Sequence, residues 1–64
     1  MTSNDDSRLM SIEELADRLG VSQRTVRRLI KQGQITIHRI GRAIRISERD
    51  YQIYLRYART IGQL

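Results

Sequence analysis

One local pattern of apolar and polar positions occurs three times along the chain: an apolar residue, Ser, two variable residues, a polar residue, then an apolar one. It runs Met10-Ser11…Glu14-Leu15, then Val21-Ser22…Thr25-Val26, then Ile46-Ser47…Asp50-Tyr51. A serine at the N-cap accepts a hydrogen bond from an orphan backbone N–H of the first helical turn. The apolar residue before it packs on the one after the turn as a hydrophobic staple. Glu14 completes a capping box, Asp50 offers a shorter version, and Thr25 departs from the box. The pattern predicts three helix starts.

The first helix is predicted over Ile12 to Leu19, where Ile12, Leu15, Ala16 and Leu19 form one apolar stripe and Gly20 supplies a left-handed stop. The second is predicted over Gln23 to Gln32 with Gly33 as its stop. Val26, Leu29 and Ile30 face inward, and Gln23, Arg24, Arg27, Arg28 and Lys31 face outward. The period then changes to two. Ile35-Thr36-Ile37-His38 and Ile44-Arg45-Ile46-Ser47 alternate around Ile40-Gly41-Arg42-Ala43, which predicts a β-hairpin. The phase slips at Arg39-Ile40, so a bulge or wide loop is expected there. A third helix is predicted over Glu48 to Ile61, with Tyr51, Tyr54, Leu55 and Ala58 inward. Ile53, Tyr57 and Ile61 make a second apolar line on it, partly exposed and a candidate protein contact. Residues 1–8 read as a disordered tail, 9–61 as one domain and 62–64 as a carboxyl-terminal tail.

Charge gives this α+β outline a direction. The net charge over 64 residues is +5. Its distribution is more telling than its total. Residues 1–20 carry Asp5, Asp6, Glu13, Glu14 and Asp17 against Arg8 and Arg18. Residues 21–47 carry Arg24, Arg27, Arg28, Lys31, Arg39, Arg42 and Arg45 and no acid at all. A folded surface of one sign attracts a polyanion, and nucleic acid is the natural partner.

The two first helices are joined only by Gly20, Val21 and Ser22, a link short enough to force a steep crossing, as in a helix-turn-helix. Ala16 is small where the second helix passes, and Val26 plugs the angle between the two. The second helix is the one suited to the major groove of double-stranded DNA. Gln23, Arg24, Thr25, Arg27, Arg28 and Lys31 are its candidate contacts, to base edges or to phosphates. Arg39, Arg42 and Arg45, around Gly41, are candidates for the backbone or the minor groove.

With these elements in place, the chain resembles the excisionase family, whose winged helix is related to the DNA-binding part of MerR-type regulators. The resemblance rests on Ser11-Ile12-Glu13-Glu14-Leu15-Ala16, Leu19-Gly20-Val21-Ser22, Thr25-Val26-Arg27-Arg28-Leu29-Ile30, Gly33, Arg39-Ile40-Gly41-Arg42, Ile44-Arg45-Ile46 and Asp50-Tyr51. It covers about residues 10–58. Thr36 stands where members often have Pro, and Ile44 where they often have an aromatic residue. The resemblance implies a small winged helix-turn-helix in the order helix, helix, hairpin, helix. It also implies a recombination directionality factor of a phage or integrated element. Such a protein binds attachment-site DNA, bends it cooperatively and directs an integrase towards excision. Its expected partners are duplex DNA, neighbouring copies of itself and an integrase, in the cytoplasm of a bacterial host. A small transcriptional repressor is the alternative that the resemblance leaves open. The end of the chain at Leu64, just after the third helix, favours excision over regulation, since larger regulators carry a further region there.

Other chemistry has little footing. His38 is the sole His and there is no Cys, so neither a metal cluster nor a His-based acid–base pair is expected. The three Tyr read as packing residues rather than nucleophiles, and the four Gly are scattered rather than gathered in a phosphate loop. No enzyme activity, cofactor, small-molecule ligand or membrane contact is expected. No apolar run approaches the roughly 20 residues that span a bilayer.

Overall fold

The computed structural model describes residues 8–61, and the expectations for residues 1–7, for 62–64 and for the side chains of Thr60 and Ile61 lie outside the described residues. The elements are β1 (Leu9–Met10), α1 (Ile12–Leu19), α2 (Gln23–Lys31), β2 (His38–Ile40), β3 (Ala43–Ser47) and α3 (Glu48–Ile61). The strands form an antiparallel sheet in the order β1-β3-β2. This is a small α+β winged helix-turn-helix.

The three serine caps all form. The Ser11 hydroxyl accepts from the Glu14 N–H at 3.0 Å, Ser22 from Thr25 at 3.1 Å and Ser47 from Asp50 at 3.0 Å. Ser47 also donates to the Asp50 carboxylate at 2.9 Å. Gly20 ends α1 at φ 72°, a value that would strain any side-chain-bearing residue. The Val21 N–H then donates back to the Ala16 carbonyl at 3.0 Å, closing the turn as a Schellman motif. This turn aims α2 across α1. Val26, fully buried, meets Leu15, Ala16, Met10, Ile12, Ile35 and Ile46 in one apolar cluster.

The sheet departs from the expected hairpin in three ways. The first alternating run does not make a strand, since β2 begins at His38 and residues 35–37 form a loop. Ile35 is buried and Ile37 half-buried from that loop, so their alternation reports packing rather than pairing. Second, there is no bulge. His38, Arg39 and Ile40 pair in register with Arg45, Ile44 and Ala43, and Gly41-Arg42 alone make the turn. Gly41 is at φ 61° and no non-glycine among the described residues has positive φ, the sign pattern of a type II′ turn. Third, β1 is an additional strand, with Leu9 opposite Ser47 and Met10 opposite Ile46. Arg8, counted with the tail in the sequence reading, accepts from the Glu48 N–H at 2.8 Å.

α3 is held more lightly than its predicted stripe implies. Tyr51 and Tyr54 pack on the core from half-buried positions, and no described side chain of α3 is fully buried. Polar contacts supplement this packing. Arg18 on α1 donates to Glu48 at 2.8 Å and to Glu14 at 3.4 Å, and its guanidinium lies 5.3 Å from the centre of the Tyr51 ring. Gln52 donates to the other Glu48 oxygen at 3.2 Å. The Gln52 amide, aided by Arg18 and opposed by partial burial, holds the Glu48 carboxyl below its ordinary value of 4.5.

A carboxylate whose pKa is lowered by folding adds stability that is present above its unfolded value and lost as pH falls through the folded one. Wild-type protein is therefore expected to lose stability below about pH 4.5 more steeply than Glu48→Gln. Thermal unfolding of both proteins across the acid range checks this. Parallel pH profiles would show that Glu48 does not link α1 to α3 energetically.

Candidate nucleic-acid interface

Burial of Val26 on one side of α2 turns the opposite side to solvent. Gln23, Arg24, Arg27, Arg28 and Lys31 are all exposed, and Thr25 is half-exposed beside the Ser22 cap, its hydroxyl 3.1 Å from the serine oxygen. The nine residues of α2 extend about 13 Å, enough to pass roughly four base steps. There is no acid in its first turn. Arg24 thus adds positive charge to the positive end of the helix dipole, an arrangement unfavourable for the isolated helix and favourable towards an anion.

The hairpin of β2 and β3 stands beside the start of this helix. A cleft of about 280 Å³ separates them, lined by Gln23 and Arg27 of α2, by Arg42, Ile44 and Arg45 of the hairpin, and by Ser11, Ile12 and Glu13 at the start of α1. The fold therefore gathers Gln23, Arg27, Arg42 and Arg45, far apart in sequence, around one open groove. Arg24, Arg28, Lys31 and Arg39 do not line it and extend the positive surface away from it.

The ion pairs divide along the same boundary. Arg8 and Arg18 engage Glu14 and Glu48, and His38 approaches Asp50 at 3.7 Å. Among the described residues, Arg24, Arg27, Arg28, Lys31, Arg39 and Arg42 make no hydrogen bond or ion pair within the chain through their side chains. Arg45 donates to the neighbouring Ile44 carbonyl at 2.8 Å, which steadies its side chain along β3. Unpaired guanidinium groups around a groove suit phosphate oxygens and guanine edges, both of which accept two parallel N–H bonds.

Sequence reasoning did not mark Ser11, Ile12, Glu13 or Ile44 as lining residues. The serine cap and the apolar stripe had assigned all but Glu13 structural work, and only the tertiary crossing of α1 with the hairpin brings them to the groove. Glu13 is an exposed carboxylate among cations. It can accept from a cytosine amine, and it repels any phosphate placed too close to α1.

The Ile53–Tyr57 line lies elsewhere. Both side chains are about half exposed, and with Tyr54, Gly33 and Gln34 they border an open groove of about 370 Å³. Among the described residues no group of three or more His, Cys, Asp and Glu could hold a metal ion, and no helix is long and apolar enough to cross a membrane.

A family model described as a helix-turn-helix domain matches residues 9–57. No curated protein and no solved structure matches the chain.

If α2 reads bases and the hairpin holds phosphates, their substitutions will differ in kind. Arg24→Ala, Arg27→Ala or Arg28→Ala is expected to cost about 1–3 kcal/mol wherever the residue reads a base, and to relax preference at one base pair. Arg42→Ala is expected to weaken binding to every duplex and to lower the slope of log affinity against log salt by roughly one. Titrations on several duplexes at several salt concentrations separate the two. Equal effects of all four substitutions on every sequence would deny α2 a reading role.

Proposed function

The chain belongs to the helix-turn-helix domain family, a family of DNA-binding proteins, and on that premise we propose that it is an excisionase-type architectural protein. α2 enters the major groove, with Gln23, Arg24, Thr25, Arg27, Arg28 and Lys31 towards bases and phosphates. The hairpin is the wing, and Arg39, Arg42 and Arg45 meet the backbone and the adjacent minor groove. The observation that carries this reading is the shared cleft, in which Gln23 and Arg27 face Arg42 and Arg45. One DNA strand running through it would have the major groove on the α2 side and the minor groove on the wing side. The excision role is drawn from the motif resemblance, from the Ser11 capping box through Asp50-Tyr51.

A helix that passes roughly four base steps specifies little by itself. Adjacent copies on DNA supply the remainder and add their bends in phase. The exposed Ile53 and Tyr57, next to an open groove, offer a surface for that contact, and the integrase is the other partner it suits.

Excision by a cognate integrase, run with and without the protein, tests the role. Excision is expected to depend on the protein. Unchanged excision together with repression of a promoter that carries its footprint would assign it to transcription instead. In footprint titrations Ile53→Ser with Tyr57→Ser is expected to abolish cooperative binding on a long site while sparing a single short one. Retained cooperativity in that double variant would remove the self-contact.

A further inference from the structure

We infer that Ile40 is a wedge which the wing drives between base pairs from the minor groove, and that this wedge produces the bend. The inference rests on the DNA-binding reading above. It starts from the sheet register. Ile44 and Ile46 alternate along β3 on the face that packs on the core, and Met10 joins them opposite Ile46. Ile40 pairs with Ala43, one residue out of phase with that set, so it stands on the opposite face. Its neighbour across the strand offers only a methyl group. The consequence is a large apolar side chain 54% exposed at the last paired position before the Gly41-Arg42 turn.

Nothing about the hairpin calls for an apolar residue there. A Thr or Lys would pair equally well with Ala43, and polar or charged side chains are the usual choice on an exposed edge strand. The surroundings point instead to DNA. In sequence Ile40 lies between Arg39 and Arg42, both exposed and without a partner among the described residues; Arg45 shares its face of the hairpin and Arg39 stands on the other. No acid occurs between residues 21 and 47. The cleft between α2 and the wing is lined by Arg42, Ile44 and Arg45 but not by Ile40, which shares the face of Arg45 nearer the turn. With a DNA strand in that cleft, the far side of the wing tip meets the minor groove. Proteins that bend duplexes from the minor groove insert Ile, Leu, Phe or Met between base steps while flanking cations hold the phosphates. Ile40 between two arginines has that chemistry. It would favour pyrimidine–purine steps such as TA or CA, which unstack most readily.

The test uses the full chain and the duplex that wild-type protein recovers from a random pool, with 2-aminopurine placed at successive steps. The bend is measured by energy transfer between the duplex ends, and unstacking by 2-aminopurine fluorescence. Wild type and Ile40→Leu are expected to bend the duplex and brighten the probe at one step. Ile40→Ala is expected to footprint in the same register, to lose about 20° or more of bend and to leave the probe dark. Thermal unfolding of the free variant checks that the hairpin is intact. A bend and probe signal equal to wild type in Ile40→Ala overturns the wedge and leaves DNA binding standing. So does a weakened footprint with the bend unchanged, which would make Ile40 a surface contact. Loss of cooperativity with the bend unchanged would make it a contact between proteins and overturns the wedge as well. Absence of any footprint by wild type overturns the DNA reading itself.

Discussion

The burial of Val26 is the constraint on which the other features depend. Its side chain is fully enclosed in a cluster supplied by α1, β1, β3 and the loop after α2. A chain of this size has one small core, and that insertion, with Leu29 and Ile30 packed beside it, sets which face of α2 turns inward. With Val26 inward, residues 23, 24, 27, 28 and 31 have nowhere to go but outward. Ala16 and Gly20 serve the same insertion, one by its size and one by its positive φ. The cationic face is therefore a geometric consequence of the apolar one.

Charge is distributed so as to leave that face unsatisfied. Of the acids in the described residues, Glu14 and Glu48 are committed to Arg8 and Arg18, and Asp50 to the cap of α3 and to His38. Exposed pairs of this kind are individually worth little, and of the four only the partly exposed Arg18–Glu48 pair joins α1 to α3. The guanidinium groups of Arg27, Arg42 and Arg45 line one cleft in which Glu13 is the single carboxylate. Their mutual repulsion opposes folding of the free protein, and a phosphate backbone would relieve it. The cost falls where a binding surface requires it and the compensation lies on the opposite side.

Much of this was legible in the sequence because it rests on local chemistry. Three serine caps, two glycine stops and a period of 3.6 are set within a few residues, and the helices appear where those signals put them. The sheet was less legible. A two-residue strand such as Leu9–Met10 is too short to carry a period, and Met10 was already accounted for as a staple. Ile35 and Ile37 alternate like a strand, yet they bury from a loop, and starting the strand there created a phase slip that the register of His38 with Arg45 removes. The groove was the least legible part. Gln23 and Arg42 line one cleft only because α1, α2 and β3 pack as they do, and no spacing along the chain encodes that arrangement.

The same packing makes the two halves of the groove mechanically unlike. α2 is anchored by Val26, with Leu29 and Ile30 packed on the core, so its side chains are presented on a stiff support. β2 contributes no buried residue, and the buried contacts of the wing strands come from β3, where exposure falls from partial at Ala43 to none at Ile46. A hairpin with few buried contacts opens and flexes at lower cost than the helix beside it. A rigid reader next to a compliant arm suits a protein that distorts what it binds. On the proposed reading the helix would set the register on the duplex, and the wing would adjust to the groove beside it.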